Sequence, residues 1–175
     1  MAVKKVTVTL PQLWRACAMP ICPATRPTKR SSTTFTTTRR IEGPPLMALP
    51  DDLLEVLNAK AICFVTTLMP DGSPQISQTW ASTDGEHVLI NTVDTHQKTR
   101  NIARDPRIAI GIADPAAPSR YWALRGSVVS ATTEGARQNI DELSQKYIGR
   151  PYPGFGSGPQ QRVLLTVKVD RVHKP

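Results

Sequence analysis

HVLINTVDTHQKTRNIARDPRIAIGI, residues 87–112, reads as a strand, a short helix, a tight stop and a second strand. His87 to Thr92 alternates apolar and polar side chains as a half-buried strand does. Thr95 then offers a hydroxyl cap to a helix that Asp105-Pro106 must end, because the residue before a proline is pushed out of helical space. Lys98, Thr99 and Arg100 fall at the start of that helix. Free backbone N–H groups, the positive end of the helix dipole, an ammonium and a guanidinium would converge there, a combination suited to a phosphate. The alternative is a short surface helix whose basic residues are simply solvated.

Upstream, Leu49-Pro50-Asp51-Asp52 starts a helix with Leu53, Leu54, Val56 and Leu57 on or near one face and two acids at the favourable end of its dipole. Ala61 to Leu68 predicts a buried strand, Pro70-Asp71-Gly72 a hairpin turn, and Pro74 to Ser82 the returning strand. Asp84-Gly85 turns the chain again into Glu86 to Thr92, completing a three-stranded meander. Downstream come a strand from Arg107 to Ala113, a loop from Asp114 to Pro118, and a long strand from about Tyr121 to Thr132. The register of that strand sets Trp122, Leu124, Gly126, Val128 and Ser130 on one side.

Glu134 to Ile148 has helical spacing, with Ile140, Leu143 and Tyr147 at i, i+3 and i+7, and Gly149 and Pro151 close it. After the Gly- and Pro-rich PYPGFGSGPQ, the run RVLLTVKV from Arg162 to Val169 predicts the last strand. Six antiparallel strands with three interposed helices, joined by hairpins instead of repeated βαβ units, define a mainly β (α+β) class and a small barrel. Closure of the barrel also hides strand edges.

The formal net charge of +8 suggests nucleic acid until it is divided along the chain. Residues 1–46 hold eight basic residues against Glu42 alone, or +7, and the remainder holds fourteen against thirteen acids, or +1. A nearly neutral body argues against a specific nucleic-acid function, although the basic segment would touch polyanions nonspecifically. That segment, with its TRPTKRSSTTFTTTRR run, lacks apolar periodicity and is expected to be a disordered basic extension. Its lack of acids resembles a transit peptide without the amphipathic helix, and the plainer reading is an extension or upstream start that the domain opening at Met47 does not need. With no signal-peptide core and no apolar run of spanning length, a cytoplasmic protein without membrane partners is expected.

Cys17 and Cys22 flank Met19-Pro20 with no second pair and no nearby histidine, and Cys63 sits in the apolar AICFVTTL and reads as packing. His87, His96 and His173 lie in different predicted elements. Neither a metal site nor a catalytic triad is expected.

TLMPDGSPQISQTWAS, HVLINT, QKTRNIARDPRIAI, YWALRGSVV and RVLLTVKVDRV, in that order, resemble the split β-barrel flavin and deazaflavin oxidoreductases related to pyridoxamine 5′-phosphate oxidase. The resemblance covers essentially all of Met47 to His173 and is closest to the branch that uses the deazaflavin coenzyme F420. It implies an FMN-binding type of split barrel over residues 47–175, with Lys98, Thr99 and Arg100 on the cofactor phosphate, where charge and capping already suggest an anion site. It implies that Gln75, Ser77, Gln78, Thr79 and Trp80 lie beside the tricyclic ring and that the backbone at Asn91 and Thr92 approaches the ribityl chain. Trp80 reads equally as a core or interface aromatic, and Gln75 or Gln78 as solvent-facing.

The resemblance further implies a homodimer in which each cofactor site is completed by the partner, through Tyr121, Trp122 and Arg125; Trp122 reads also as an interface anchor alone. Arg104 and Arg107 face an anionic cofactor tail or form a surface ion pair with Asp105. Hydride transfer from F420 to a small conjugated acceptor requires no catalytic nucleophile or dyad, and a proton comes from water or from His87, Arg125 or Tyr121. The alternatives are an FMN-dependent oxidase or reductase of the same family and a non-enzymatic flavin or haem carrier. Pyridoxamine phosphate oxidation itself fits less well, because no basic substrate-phosphate cluster is found near the C terminus. The loop from Ile148 to Gln161 is expected to shape acceptor access.

Overall fold

The computed structural model describes residues 47–154 and 160–175. The extension over residues 1–46 and the middle of the 148–161 loop lie outside the described residues. Helix α1, Asp51–Asn58, starts after Pro50 and carries Asp51 and Asp52 in its first turn, with Leu53, Val56 and Leu57 buried. Strand β1, Ile62–Leu68, alternates fully buried Cys63, Val65 and Thr67 with more exposed neighbours. At the hairpin that follows, the Asp71 carboxylate accepts from the Ser73 amide at 2.9 Å and its hydroxyl at 2.6 Å, while Gly72 adopts a φ of +83°.

The strand expected over residues 74–82 is two strands. Strand β2, Pro74–Thr79, pairs antiparallel with β1; after Trp80, β3, Ala81–Thr83, pairs instead with β4, Val88–Val93. Helix α2 (Gln97–Arg104), β5 (Arg107–Asp114), β6 (Ala117–Thr132), α3 (Ala136–Ile148) and β7 (Arg162–His173) complete the domain. The sheet order is β2-β1-β5-β6-β7-β4-β3. Its two outer strands are therefore consecutive pieces of chain, and the link through Trp80 closes the curled sheet into a split barrel. The count rises from the expected six strands to seven because the two halves of one extended segment hydrogen-bond at opposite edges.

Strand β6, sixteen residues long, bends at two irregularities in its pairing with β7. Asp170 is the extra residue opposite Arg125-Gly126, and Val129 is the extra one between Val128 and Ser130. The expected one-sided register holds through Trp122 and Leu124, which are buried, and breaks by Ser130, which is exposed. At Gly126 the strands approach so closely that a Cβ would lie 2.0 Å from the Lys168 carbonyl oxygen.

The core fills the inner face of the sheet under α1. Leu53, Leu57, Ile90, Ile112 and Leu165 are fully buried, each worth about 1.5–3 kcal/mol of apolar burial. Trp122 belongs to this core, with 0 % of its surface exposed. The expectation that it reaches a partner's cofactor or anchors an interface is thereby corrected: its alternating position on β6 points it inward, beneath the cationic groups of Arg120 and Lys174, 5.1 and 5.7 Å from the ring. Among the described residues no helix is long and apolar enough to cross a membrane.

Candidate cofactor-binding site

The start of α2 is stapled to the end of β4. The Val93 carbonyl accepts from the His96 amide at 3.1 Å and from the Thr99 hydroxyl at 2.6 Å. Thr95 does not cap the helix as expected; His96 holds the cap position, and no side chain makes a capping bond. Deeper in α2, the fully buried Asn101 donates to the Thr67 hydroxyl at 3.0 Å and accepts from Gln97 at 2.9 Å. Thr67 in turn donates to Gln75 at 3.2 Å, so the helix is tied through β1 to β2. Antiparallel pairing of β4 with β7 sets Val93 opposite Arg162, which brings the first residue of β7 beside the α2 entry.

These chain ends surround a cavity of about 520 Å³. Six of the expected site residues line it: Gln78, Thr79, Trp80, Asn91, Thr92 and Lys98. Lys98 is 8 % exposed and makes no side-chain hydrogen bond or ion pair with any described residue. Burial lowers its pKa, since the charged form loses hydration without a counter-ion. Clefts of about 660 Å³ beside the end of β7 and 710 Å³ along α3 are larger, but neither joins a buried cation to an aromatic wall.

That wall is built around Trp80. Its ring stacks on Tyr147 at 5.2 Å and meets Tyr152 edge-on at 6.2 Å. The Arg162 guanidinium lies 4.3 Å from the Tyr152 ring centre, donates to the Tyr152 hydroxyl, and reaches the Asn91 side-chain oxygen at 3.4 Å. Asn91 is buried and donates to the Ala136 carbonyl at 2.7 Å and to Asn139 at 3.1 Å, which anchors the wall to α3. His96 and Ile140 also face the cavity. The pKa of His96 is lowered by partial burial and then by Lys98, Arg162 and Arg100, with Asp94 opposing.

His96, Ile140, Tyr152, Gln160 and Arg162 are the lining residues that sequence reading did not assign to the site. Arg162 carried a signal in its position at the head of the last strand, but the register that carries it to Val93 is not written in local sequence.

The other expected residues lie elsewhere. Thr99 spends its hydroxyl on Val93, and Arg100 turns back on its own helix start, donating to the Thr95 carbonyl at 2.5 Å and Gln97 at 2.7 Å. Gln75 faces inward against Thr67, so its alternative as a solvent-facing residue does not hold. Ser77 lies on the same face of β2 as Thr79, and its hydroxyl oxygen is buried with no partner. Tyr121 is exposed, and Arg125 lines a different cleft with Asp170 and Arg171. Arg107 binds Asp105 through two nitrogens at 2.9 and 2.6 Å and holds that carboxyl down to about 2, the ion-pair alternative. Arg104 donates to the Leu68 carbonyl, and His87 sits 3.1 Å from Asp84 in a turn. Among the described residues no three His, Cys, Asp or Glu converge as metal ligands.

A phosphorylated tricyclic coenzyme fits what is present. Lys98 supplies a buried cation with no counter-ion among the described residues, Thr79 a hydroxyl on the cavity lining, and Trp80 with the edge-on Tyr152 an aromatic corner. A curled antiparallel split barrel with this kind of pocket defines a flavin-binding class of oxidoreductases. The chain belongs to the pyridoxamine 5′-phosphate oxidase family, whose model matches residues 49–174.

Among solved structures it is similar to an F420 reductase at 27% identity, with a TM-score of 0.63, covering 71% of this chain and 98% of that one. It is similar in fold to a conserved hypothetical protein of Mycobacterium tuberculosis (20% identity, TM-score 0.58, 79% and 89% coverage). The General Stress Protein 26 of Bacillus anthracis shares the fold also, at 15% identity and a TM-score of 0.52, with 70% and 92% coverage. No curated protein sequence matches the chain.

Proposed function

We propose that the protein is an oxidoreductase that binds coenzyme F420 in the cavity beside Trp80 and passes hydride to a small conjugated organic acceptor. The observation that carries this reading is Lys98, a buried ammonium with no counter-ion among the described residues, placed where β4 gives way to α2. A phosphate would supply the missing charge and relieve the desolvation that lowers the lysine's pKa. Similarity to an F420 reductase favours the deazaflavin over FMN.

The deazaflavin, when bound, supplies a hydride from C5 of its central ring. Lys98 would hold the phosphate, the backbone and hydroxyl of Thr79, with Ser77 two residues earlier on the same face of β2, would offer polar groups to the ring edge, and Trp80 with Tyr152 would exclude water from one side. These residues would fix the ring, which is the protein's first contribution to aligning it with an acceptor for hydride transfer.

A cytoplasmic homodimer is part of this reading. Phe64, Ile76 and Tyr121 are large side chains exposed on the outer face of the sheet, at 42, 64 and 42 %, and the small Gly111 on β5 pairs with Phe64 on one side and with Ala123, on Tyr121's strand, on the other. Such an apolar face suits a second copy of the chain, and in that dimer Tyr121 and Arg125, on the same face, would be offered to the partner's site. The second reading, FMN as cofactor, is favoured by membership of the oxidase family, since the same phosphate anchor serves both coenzymes.

Fluorescence titration of the purified protein with F420 and with FMN tests the reading. F420 is expected to bind more tightly, and Lys98→Met to weaken it by about ten- to a hundredfold, the value of one charge-assisted hydrogen bond. Tight FMN with weak F420 would establish the second reading, and indifference of both to Lys98→Met would remove the phosphate assignment.

A further inference from the structure

We propose that Arg162, the first residue of β7, is the second cation of the coenzyme-phosphate anchor, in the role that the sequence alone assigns to Arg100. This rests on the reading of the cavity as a phosphorylated-coenzyme site and adds a residue from a different part of the chain.

The geometry excludes Arg100 first. Its two terminal nitrogens are committed to the Thr95 carbonyl and to Gln97, both on the outside of the helix start, and the residue is exposed and outside the cavity lining. Arg162 is the opposite case. It enters the cavity from the strand paired with β4, directly across from Val93, whose carbonyl organises the α2 entry; the Asp94 amide donates to the Gln161 carbonyl at 3.1 Å and fixes that approach. Among the described residues its guanidinium is positioned by neutral groups, the ring and hydroxyl of Tyr152 and the oxygen of Asn91. Asn91 is itself held from α3, so the guanidinium rests on a rigid support.

No described carboxylate forms an ion pair with either Arg162 or Lys98. Two cations opening on one cavity of about 520 Å³ repel each other and lose hydration, and a bound anion reverses both costs. A guanidinium presents several N–H groups in one plane, and the two bonds made to Asn91 and Tyr152 leave further donors for phosphate oxygens. Arg162 is thus a coenzyme-binding residue that also ties the loop carrying Tyr152 to the phosphate end of the site.

The test compares each coenzyme with its phosphate-free parent, F420 with the deazaflavin whose ribityl chain ends in a free hydroxyl and FMN with riboflavin, in wild type, Arg162→Ala, Arg162→Lys and Arg100→Ala. Arg162→Ala is expected to weaken the phosphorylated ligands by about tenfold or more and to leave the phosphate-free parents within about twofold. Arg162→Lys should recover part of the loss, and Arg100→Ala should change neither class beyond about twofold. Circular dichroism and melting establish that each variant is folded; if Arg162→Ala is not, Arg162→Gln, which keeps a planar donor without charge, takes its place.

Equal losses for phosphorylated and phosphate-free ligands would overturn the assignment and make Arg162 a support for the Tyr152 wall. A large effect of Arg100→Ala with none at Arg162 would overturn it also. Failure of wild type to bind either coenzyme is a different outcome, which removes the cofactor reading and this assignment with it.

Discussion

Trp80 lies flat on Tyr147, their ring centres 5.2 Å apart and their planes within 7°. Trp80 is the one residue between β2 and β3, the strands at opposite ends of the sheet, so the stack sits where the barrel closes. The Tyr147 hydroxyl donates to the Ala61 carbonyl at 2.9 Å and accepts from the Ala61 amide at 3.3 Å, with longer contacts to the Ala81 amide and carbonyl. Ala61 leads into β1 and Ala81 opens β3, so one phenol joins the two sides of the split.

Tyr147→Phe keeps the stack and removes the bonds, leaving polar backbone groups at Ala61 without their partner. Stability should fall by about 1–3 kcal/mol. Urea denaturation would read this as a lower midpoint with an unchanged slope. An unchanged midpoint would mean that the hydroxyl contributes nothing to closure.

Gly126 and Gly111 form an internal contrast. A Cβ at Gly126 meets the Lys168 carbonyl oxygen at 2.0 Å and the Val169 Cα at 3.1 Å, both backbone atoms that a strand pair cannot move aside. Gly126→Ala should therefore cost several kcal/mol and lower soluble yield, in the range of overpacked cores. At Gly111 a Cβ meets nothing within 4 Å, and Gly111→Ala should melt within a few degrees of wild type. Comparable melting temperatures for the two variants would show that the bulge at Arg125-Gly126 relaxes to admit a methyl group.

The elements themselves were legible in the sequence because each has a local cause: an apolar run in β1, a Pro-Asp-Gly turn, apolar alternation in β4, an Asp-Pro stop after α2, Gly149 after α3. Closure was half legible. The 74–82 run reads as one strand because its residues are extended throughout, and nothing local at Trp80 says that hydrogen-bond partners change there. The inward positions of Thr79 and Lys98 came from the resemblance and from the helix start, whereas the direction of Arg100 depends on its contacts with Thr95 and Gln97. Arg162 and Tyr152 reach the cavity through a long-range register and a loop, and neither has a local signature. Trp122 was misread for a related reason: an aromatic residue on an alternating strand faces core or partner according to which face closes.

The proposed dimer makes its own prediction. Phe64 pairs across the sheet with Gln78 on one side and Gly111 on the other, between the strands of Ile76 and Tyr121 on the outer face. Phe64→Glu would place a charge in an apolar contact between copies while leaving the core untouched, since Phe64 is 42 % exposed. Light scattering should show a wild-type dimer and a folded, monomeric variant with weakened coenzyme binding. A wild-type monomer that binds coenzyme fully would remove the partner from the site.

Lys146 offers a pH test of the wall behind the cavity. Its ammonium donates to the Leu57 carbonyl, in the last turn of α1, and to the Ala81 carbonyl, both at 2.7 Å, and lies 5.0 Å from the Tyr147 ring centre. Burial holds its pKa down to about 8, against an ordinary value of 10.5. In that window the unfolded chain binds the proton more readily than the fold does, so stability rises with pH between about 8 and 10.5 and is lowest, on this account, below 8. Lys146→Met removes the titrating group while Tyr147, whose own pKa burial raises, is common to both proteins and cancels in the comparison. The stability of wild type relative to Lys146→Met should therefore climb by an amount on the order of 1–2 kcal/mol from pH 8 to pH 10, part of the full linkage being lost to solvent screening of a half-buried group. A difference that stays flat across that range would mean that the two carbonyl bonds hold the charged form as well as water does, and that Lys146 folds as an ordinary surface lysine.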